Sequence, residues 1–499
     1  MRSWLFAALA GVGVLARLVA QNSGAVAGAV APAHQPDAMI RIASKTFKGS
    51  NVYNHTGVHQ RVRTNMAWGA AIVFQIEVQN DGTTPDAFRV RGPGSRHHLR
   101  ARYRDAAGHR ITHAVVAGTY RTATLGPGRA TRIRLKVALS ASTPMAGRAV
   151  WRIVAKSVAD PLRRDAVKAV VTPNVYAEDA PGNFSSAVAG VPARVYVPDN
   201  TLENVTEINA HTFQIVRRVP VGQEPQHVTP GWDLRHLYCD NSESNSLTVI
   251  DPRTGKRVKT LRGISDPYNL YFTPNGRKAL NVNEDHGRLE FRDPHTWRLM
   301  GVTLVPWAGL DHGDFTPNGR FIVMSTEVAG VVLKVDTRTM RIVGHVATGG
   351  SGVDVKVSPD GRRFYVANQG SGGVHVIDPV RMRVTQFIRT GRGAHGLAVS
   401  RDTRRLYVAN RLEGSISVIR FATNRVVAKW RVGGTPDMLQ VSPDGKQLWA
   451  SNRYNGSVSV INTASGRVIR VIHTGIKPHG LAYFPQPGRY SVGHNGVFR

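Results

Sequence analysis

Four histidines and three aspartates fall at matching places in a sequence that repeats every 42 or 43 residues. With the copies aligned on Pro225, Pro267, Leu310, Gly352, Ala394, Pro436 and Pro478, the next position holds Gln226, Tyr268, Asp311, Val353, His395, Asp437 and His479. The position after that holds His227, Asn269, His312, Asp354, Gly396, Met438 and Gly480. Imidazoles and carboxylates bind divalent metals at about 2.0–2.2 Å and leave room for water, and they can also exchange protons as base and acid. A metal would draw on Asp311, His312, Asp354, His395, Asp437 and His479, and a polar ligand on His227, Asp311, His312, Asp354 and Asp437. His395 and His479 are the candidate catalytic bases of a metal-assisted reaction, because both precede Gly-Leu at equivalent positions. The structural alternative is that these side chains hydrogen-bond the loops of neighbouring repeats. Strand alternation predicts that only one of the two rows faces a common axis.

Other polar residues read as structural. Asn241, Asn283, Asn368, Asn410 and Asn452 end one strand of their repeats, and Asp251, Asp293, Asp336 and Asp378 open the following turn, both in the manner of Asx turns. Cys239 is the single cysteine, so no intrachain disulfide forms, and its apolar neighbours make it a buried thiol rather than a nucleophile. His97-His98 has no third partner nearby and reads as a surface pair. Phosphate-loop, nucleophile-elbow, His-Glu-x-x-His and c-type haem motifs are all absent, which leaves nucleotide hydrolysis, serine-esterase chemistry and covalent haem without support.

Such a set needs a scaffold that brings distant repeats together. A turn recurs as Thr273-Pro-Asn-Gly276, Thr316-Pro-Asn-Gly319, Ser358-Pro-Asp-Gly361 and Ser442-Pro-Asp-Gly445, with a degenerate copy at Ser400-Arg-Asp-Thr403. Apolar strands follow, as in Phe364-Tyr-Val-Ala-Asn368, Leu406-Tyr-Val-Ala-Asn410, Val374-His-Val-Ile-Asp378 and Val458-Ser-Val-Ile-Asn462. Four strands per repeat make one propeller blade, and the seven aligned positions predict a seven-bladed β-propeller over 193–499. Joining the outer strands at 194–221 to the inner strand after Pro478 would complete the last blade and remove exposed edges. Strand two occurs once too often, at 195–197 and again at 490–492, so the manner of closure is left open.

These repeats resemble the YVTN-family β-propeller repeat of secreted and surface-layer proteins over about 300 residues. That resemblance implies the architecture and, since relatives include binding proteins of unknown ligand, no particular activity. Ala394-His-Gly-Leu397 and Pro478-His-Gly-Leu481 also resemble repeats of streptogramin-lyase-type propellers, but the acidic partner expected in such a lyase has no match. The alternation of His with Asp, Tyr and Val departs from the copper-binding hub of nitrous-oxide-reductase-type propellers.

Upstream, seven short strands at 39–43, 71–78, 88–90, 99–103, 131–137, 150–155 and 167–171 predict a β-sandwich over 38–175. Asp86-Ala-Phe-Arg-Val-Arg-Gly92 and Leu125-Gly-Pro-Gly128 resemble bacterial immunoglobulin-like accessory domains, and a linker at 176–192 leads into the repeats. The fold class expected is therefore all-β, a sandwich followed by a propeller. The uncharged run at 5–16 after Arg2, with Ala25-Val26-Ala27 beyond it, reads as a signal peptide over 1–27, followed by a linker at 28–37. Arg17 interrupts the run too early for a membrane span of about 20 residues.

Lys and Arg outnumber Asp and Glu by 65 to 33, for a net charge of +32, which favours polyanions. The basic residues are spread over every repeat rather than gathered on one face, so no specific nucleic acid is expected; a solvated basic surface is the plain reading, and an anionic cell wall or membrane is the candidate partner. The sequence thus reads as a monomeric exported binding or interaction protein of the bacterial cell envelope or secreted fraction, without an assigned cofactor, for a small polar ligand or a protein. The alternative is a lyase or lactonase-like hydrolase assisted by a divalent metal at the mouth of the channel.

Overall fold

A computed structural model describes residues 32–494 and 499; the expected signal peptide at 1–27 lies outside them. The protein is all-β, with nine four-stranded sheets among the described residues. Two come from the N-terminal part. One orders Pro36–Ile42, Ala71–Asn80, Ala130–Leu139 and Leu99–Arg104; the other orders Arg61–Met66, Arg164–Pro173, Ala149–Ser157 and Phe88–Arg91. Alternating apolar positions build their shared core, with Phe74, Ile76 and Val78 of one sheet and Trp151, Ile153 and Val167 of the other all buried. The strand Arg61–Met66 and the short helix Thr112–Ala117 were not expected. Arg61–Met66 is mostly polar and pairs in parallel with Arg164–Pro173, so its strand character depends on a partner remote in sequence.

The repeats form the remaining seven sheets. Six use four consecutive strands, as in Gly352–Val357, Phe364–Asn368, Gly373–Asp378 and Arg383–Arg389. The recurrent turn works by local chemistry: the Ser358 hydroxyl donates to Asp360 Oδ1 at 2.6 Å and accepts from the amide of Arg363 at 3.0 Å. Gly361 closes the turn at φ 72°, and a Cβ there would fall 2.2 Å from Pro317 of the preceding copy. Only glycine meets both demands.

In the seventh sheet Ile215–Pro220, Asn204–Asn209 and Arg194–Asp199 are joined by Ala482–Phe484, with Ala482 opposite Tyr196. The surplus segment at 490–492 takes no place in a sheet. It runs against the first and second repeats, where Val492 O accepts from the amide of Phe272 at 3.0 Å and the amide of Ser491 donates to Trp232 O at 3.2 Å. Each innermost strand packs on that of the next sheet, and Ala482–Phe484 contacts both Pro436–Val441 and Pro225–Pro230.

The segment before the repeats is packed rather than free. Val175 donates from its amide to Pro359 O at 2.8 Å, Tyr176 from its hydroxyl to Val357 O at 2.8 Å, and Asn174 from Nδ2 to Thr403 Oγ1 at 2.8 Å. Among the described residues no helix is long and apolar enough to cross a membrane.

Candidate functional site

The innermost strands carry both polar rows at one end of the ring. In six of them the pairing register slips just after the strand begins, between Pro225 and Val228, Pro267 and Asn269, Leu310 and Gly313, Gly352 and Val355, Ala394 and Leu397, and Pro436 and Leu439. A β-bulge at that point breaks the alternation of faces. The expectation that only one row reaches the axis is therefore wrong: His227 and His312 of the second row meet Tyr268 and His479 of the first, at 4.5–5.8 Å between ring centroids. Gly480 makes part of this possible, because a Cβ there would lie 1.8 Å from His227 Nδ1.

All seven candidate residues are buried, at 0–2% exposure, rather than displayed at a mouth. Asp354 links neighbouring repeats: Oδ2 accepts from the amide of Leu397 at 2.7 Å, and Oδ1 pairs with Lys356 Nζ at 3.1 Å. Asp437 is a charge node, with Arg411 Nε at 2.9 Å, His395 Nδ1 at 3.0 Å and His479 Nε2 at 3.8 Å. Burial alone would raise its carboxyl, but the Arg411 guanidinium, with His395 beside it, outweighs burial and holds it well below the usual carboxylate range. The Arg411 guanidinium also touches His395 Nε2, so both nitrogens of that proposed base are engaged. His479 offers Nδ1 to Gln226 Oε1 at 3.0 Å. Burial lowers the imidazoles of His227, His395 and His479, and it lowers His312 to about 4.

Asp311 lies against Nδ1 of His312. Burial, then the charges of Glu327 and Asp354, push its carboxyl well up. Glu284 is raised to about 9 by burial and by Asp311 and Glu327.

These neighbours expose a further row that the sequence reading passed over. The residues that follow the strand-ending Asn, or its equivalent, are Asn200, Ser242, Glu284, Glu327, Gln369, Arg411 and Arg453. Extending the alignment one position past the Asn column would have found them. They join the inner set into a belt: Asn200 Nδ2 donates to Gln226 Oε1 at 3.0 Å, Gln226 Nε2 to Ser242 Oγ at 3.1 Å, Arg411 Nη1 to Gln369 Oε1 at 2.9 Å and Gln369 Nε2 to Glu327 Oε1 at 3.3 Å. Carboxylates occupy one side of the row and guanidiniums the other. Glu284, Glu327, Gln369 and Arg453 are partly exposed, so this row is the part of the site that solvent reaches.

The remaining polar columns are structural. Asn410 and Asn452 donate to hydroxyls on the next strand, at 3.0 Å to Ser415 and 2.9 Å to Ser459, while Asp293 and Asp378 accept from turn amides at 2.8 Å. Cys239 is buried, and burial raises its thiol well above the ordinary value. His97 and His98 are exposed.

No protein of curated function matches the chain. Among solved structures, a functionally unknown protein from Desulfotomaculum acetoxidans superposes with a TM-score of 0.51 at 16% identity, covering 58% of this chain and 98% of that one. A Bacteroides uniformis protein provisionally assigned as a 6-phosphogluconolactonase gives 0.50 at 18% identity, covering 59% and 99%. Likeness at such identity concerns the fold alone. Residues 162–487, well over half the sequence, match the YNCE-like beta-propeller family, and the chain belongs to that family.

Proposed function

We propose that this protein is an exported, seven-bladed β-propeller with an immunoglobulin-like accessory domain, and that it binds a small polar ligand at the end of the ring where the innermost strands begin. The observation that carries the reading is the partly exposed row at that end, with Glu284 and Glu327 on one side and Arg411 and Arg453 on the other. Arg453 supports it further, since its buried Nε has no hydrogen-bond partner. A strongly raised acid such as Glu284 and a buried donor left unpaired are recurrent marks of binding sites. Glu327 on one side and the Arg453 guanidinium on the other select a ligand that bears both a cationic and an anionic group, while Glu284, raised to about 9, offers a protonated carboxyl as a hydrogen-bond donor. The hydrolase or lyase reading has less support, because His395 is held between Asp437 and Arg411.

A thermal-stabilisation screen of small zwitterions, anions and cations tests the reading. Zwitterions should raise the melting temperature of the wild type, and Glu327→Gln and Arg453→Gln should each abolish the gain without lowering the ligand-free melting temperature by more than a few degrees. Stabilisation that survives both substitutions, or an absence of any stabilising compound, would overturn it. Export predicts a mature chain outside the cytoplasm that begins after residue 27.

A further inference from the structure

His494 belongs to no repeat. It lies on the segment that crosses beneath the ring, where Gly493 bridges to Tyr271. This path brings its imidazole within 3.9 Å of His227 and 4.5 Å of His312 between ring centroids. One nitrogen from each of the three rings lies within 4.8 Å of the others, and all three side chains are buried. No nitrogen of His227, His312 or His494 has a hydrogen-bond partner. Buried imidazole nitrogens without partners are costly, and three that converge from separate elements ask for something between them. Asp311 lies against Nδ1 of His312; with a metal bound, an ionised carboxylate there would accept from Nδ1–H and leave Nε2 as the donor.

We propose that His227, His312 and His494 bind one zinc(II) ion, with Asp311 positioning His312. Three neutral nitrogen donors suit zinc and leave a fourth position for water. Of the residues that the sequence marked for a metal only His312 is a ligand, and the third ligand comes from the C-terminal segment. The ion therefore also fastens that segment to the strands Pro225–Pro230 and Leu310–Phe315. The site shares no ligand with the proposed zwitterion site, so either can fail while the other stands.

The test uses full-length protein without an affinity tag, stripped with a chelator and dialysed against zinc(II). About one ion per chain should bind, raise the melting temperature and protect the segment at 491–494 from hydrogen exchange. Cobalt(II) in its place should show the visible absorption of a low-coordinate, nitrogen-rich site. His494→Ala should lose the stoichiometric ion, and Asp311→Asn should weaken binding by about 10- to 100-fold. Substitution of the exposed His97 and His98 by Ala should leave the ion in place. His227→Ala is the second test of the same ligand set; if it fails to fold, His494→Ala, on a terminal segment, still decides, with its fold checked by circular dichroism. Zinc retained in full by His494→Ala would overturn the proposal, as would a wild type that neither binds zinc nor gains stability from it.

Discussion

Asp437 and Asp37 are both buried, yet their carboxyls move in opposite directions. Burial raises each. At Asp437 the Arg411 guanidinium reverses the effect, whereas Asp37 has only the Asn51 amide to oppose burial and lies near Asp81, Asp165 and Glu77, which push it up to about 7. Breaking a buried ion pair from one side strands the other charge. Arg411→Ala is therefore expected to cost about 3–5 kcal/mol, and the Arg411→Ala, Asp437→Ala double variant distinctly less, in urea unfolding. Equal losses would show that Asp437 does not depend on Arg411. For Asp37 the folded protein holds its proton more tightly than the unfolded chain, whose Asp titrates near 3.9. The stability linked to that proton is complete below about pH 4 and is lost as pH rises through about 7. Relative to Asp37→Asn, the wild type should lose melting temperature between pH 5 and pH 8. Parallel curves for the two proteins would refute the assignment.

Among the elements, Ala482–Phe484 is the shortest strand and closes the seventh sheet; without it, Arg194–Asp199 presents an unpaired edge. Deleting 482–499 should abolish the cooperative melt and give oligomers by light scattering, because open edges recruit other strands. A sharp melt from a monomeric truncated chain would contradict this. The elements legible in the sequence were those that carry their own instructions: the Ser-Pro-Asp-Gly turns set φ and hydrogen bonds within a few residues, and apolar runs between them repeat in register. Arg61–Met66 was hidden because its partner is distant and its own side chains are polar. The bulges were hidden because alternation is a rule of regular strands, and a bulge is the exception that lets both polar rows converge. His494 could not be found by alignment, since the aligned positions stop at Pro478 and only the folded path of the C-terminal segment brings it to the hub.

At the scale of the whole molecule, the charge of +32 has an internal use and a proposed external one. The outermost strands of the repeats are open edges, and several are exposed and basic: Lys256–Arg262 carries Lys256, Arg257, Lys259 and Arg262, and Arg425–Arg431 carries Arg425, Lys429 and Arg431. Charged edges discourage pairing with other sheets, so part of the basic surface protects the fold. That role needs no partner. Retention on an anionic envelope surface makes a different demand, that the summed field attract a polyanion, and exposed charges are screened beyond about 8–10 Å at physiological salt and more closely as salt rises. Vesicles containing anionic lipid should therefore sediment the protein at low ionic strength and release it steeply as salt is raised, while neutral vesicles leave it in solution throughout. Replacing Lys256, Arg257, Lys259 and Arg262 by Gln should shift the release to lower salt. Binding that ignores salt, or no binding to anionic vesicles at any salt, would leave the basic residues to the protection of edges alone.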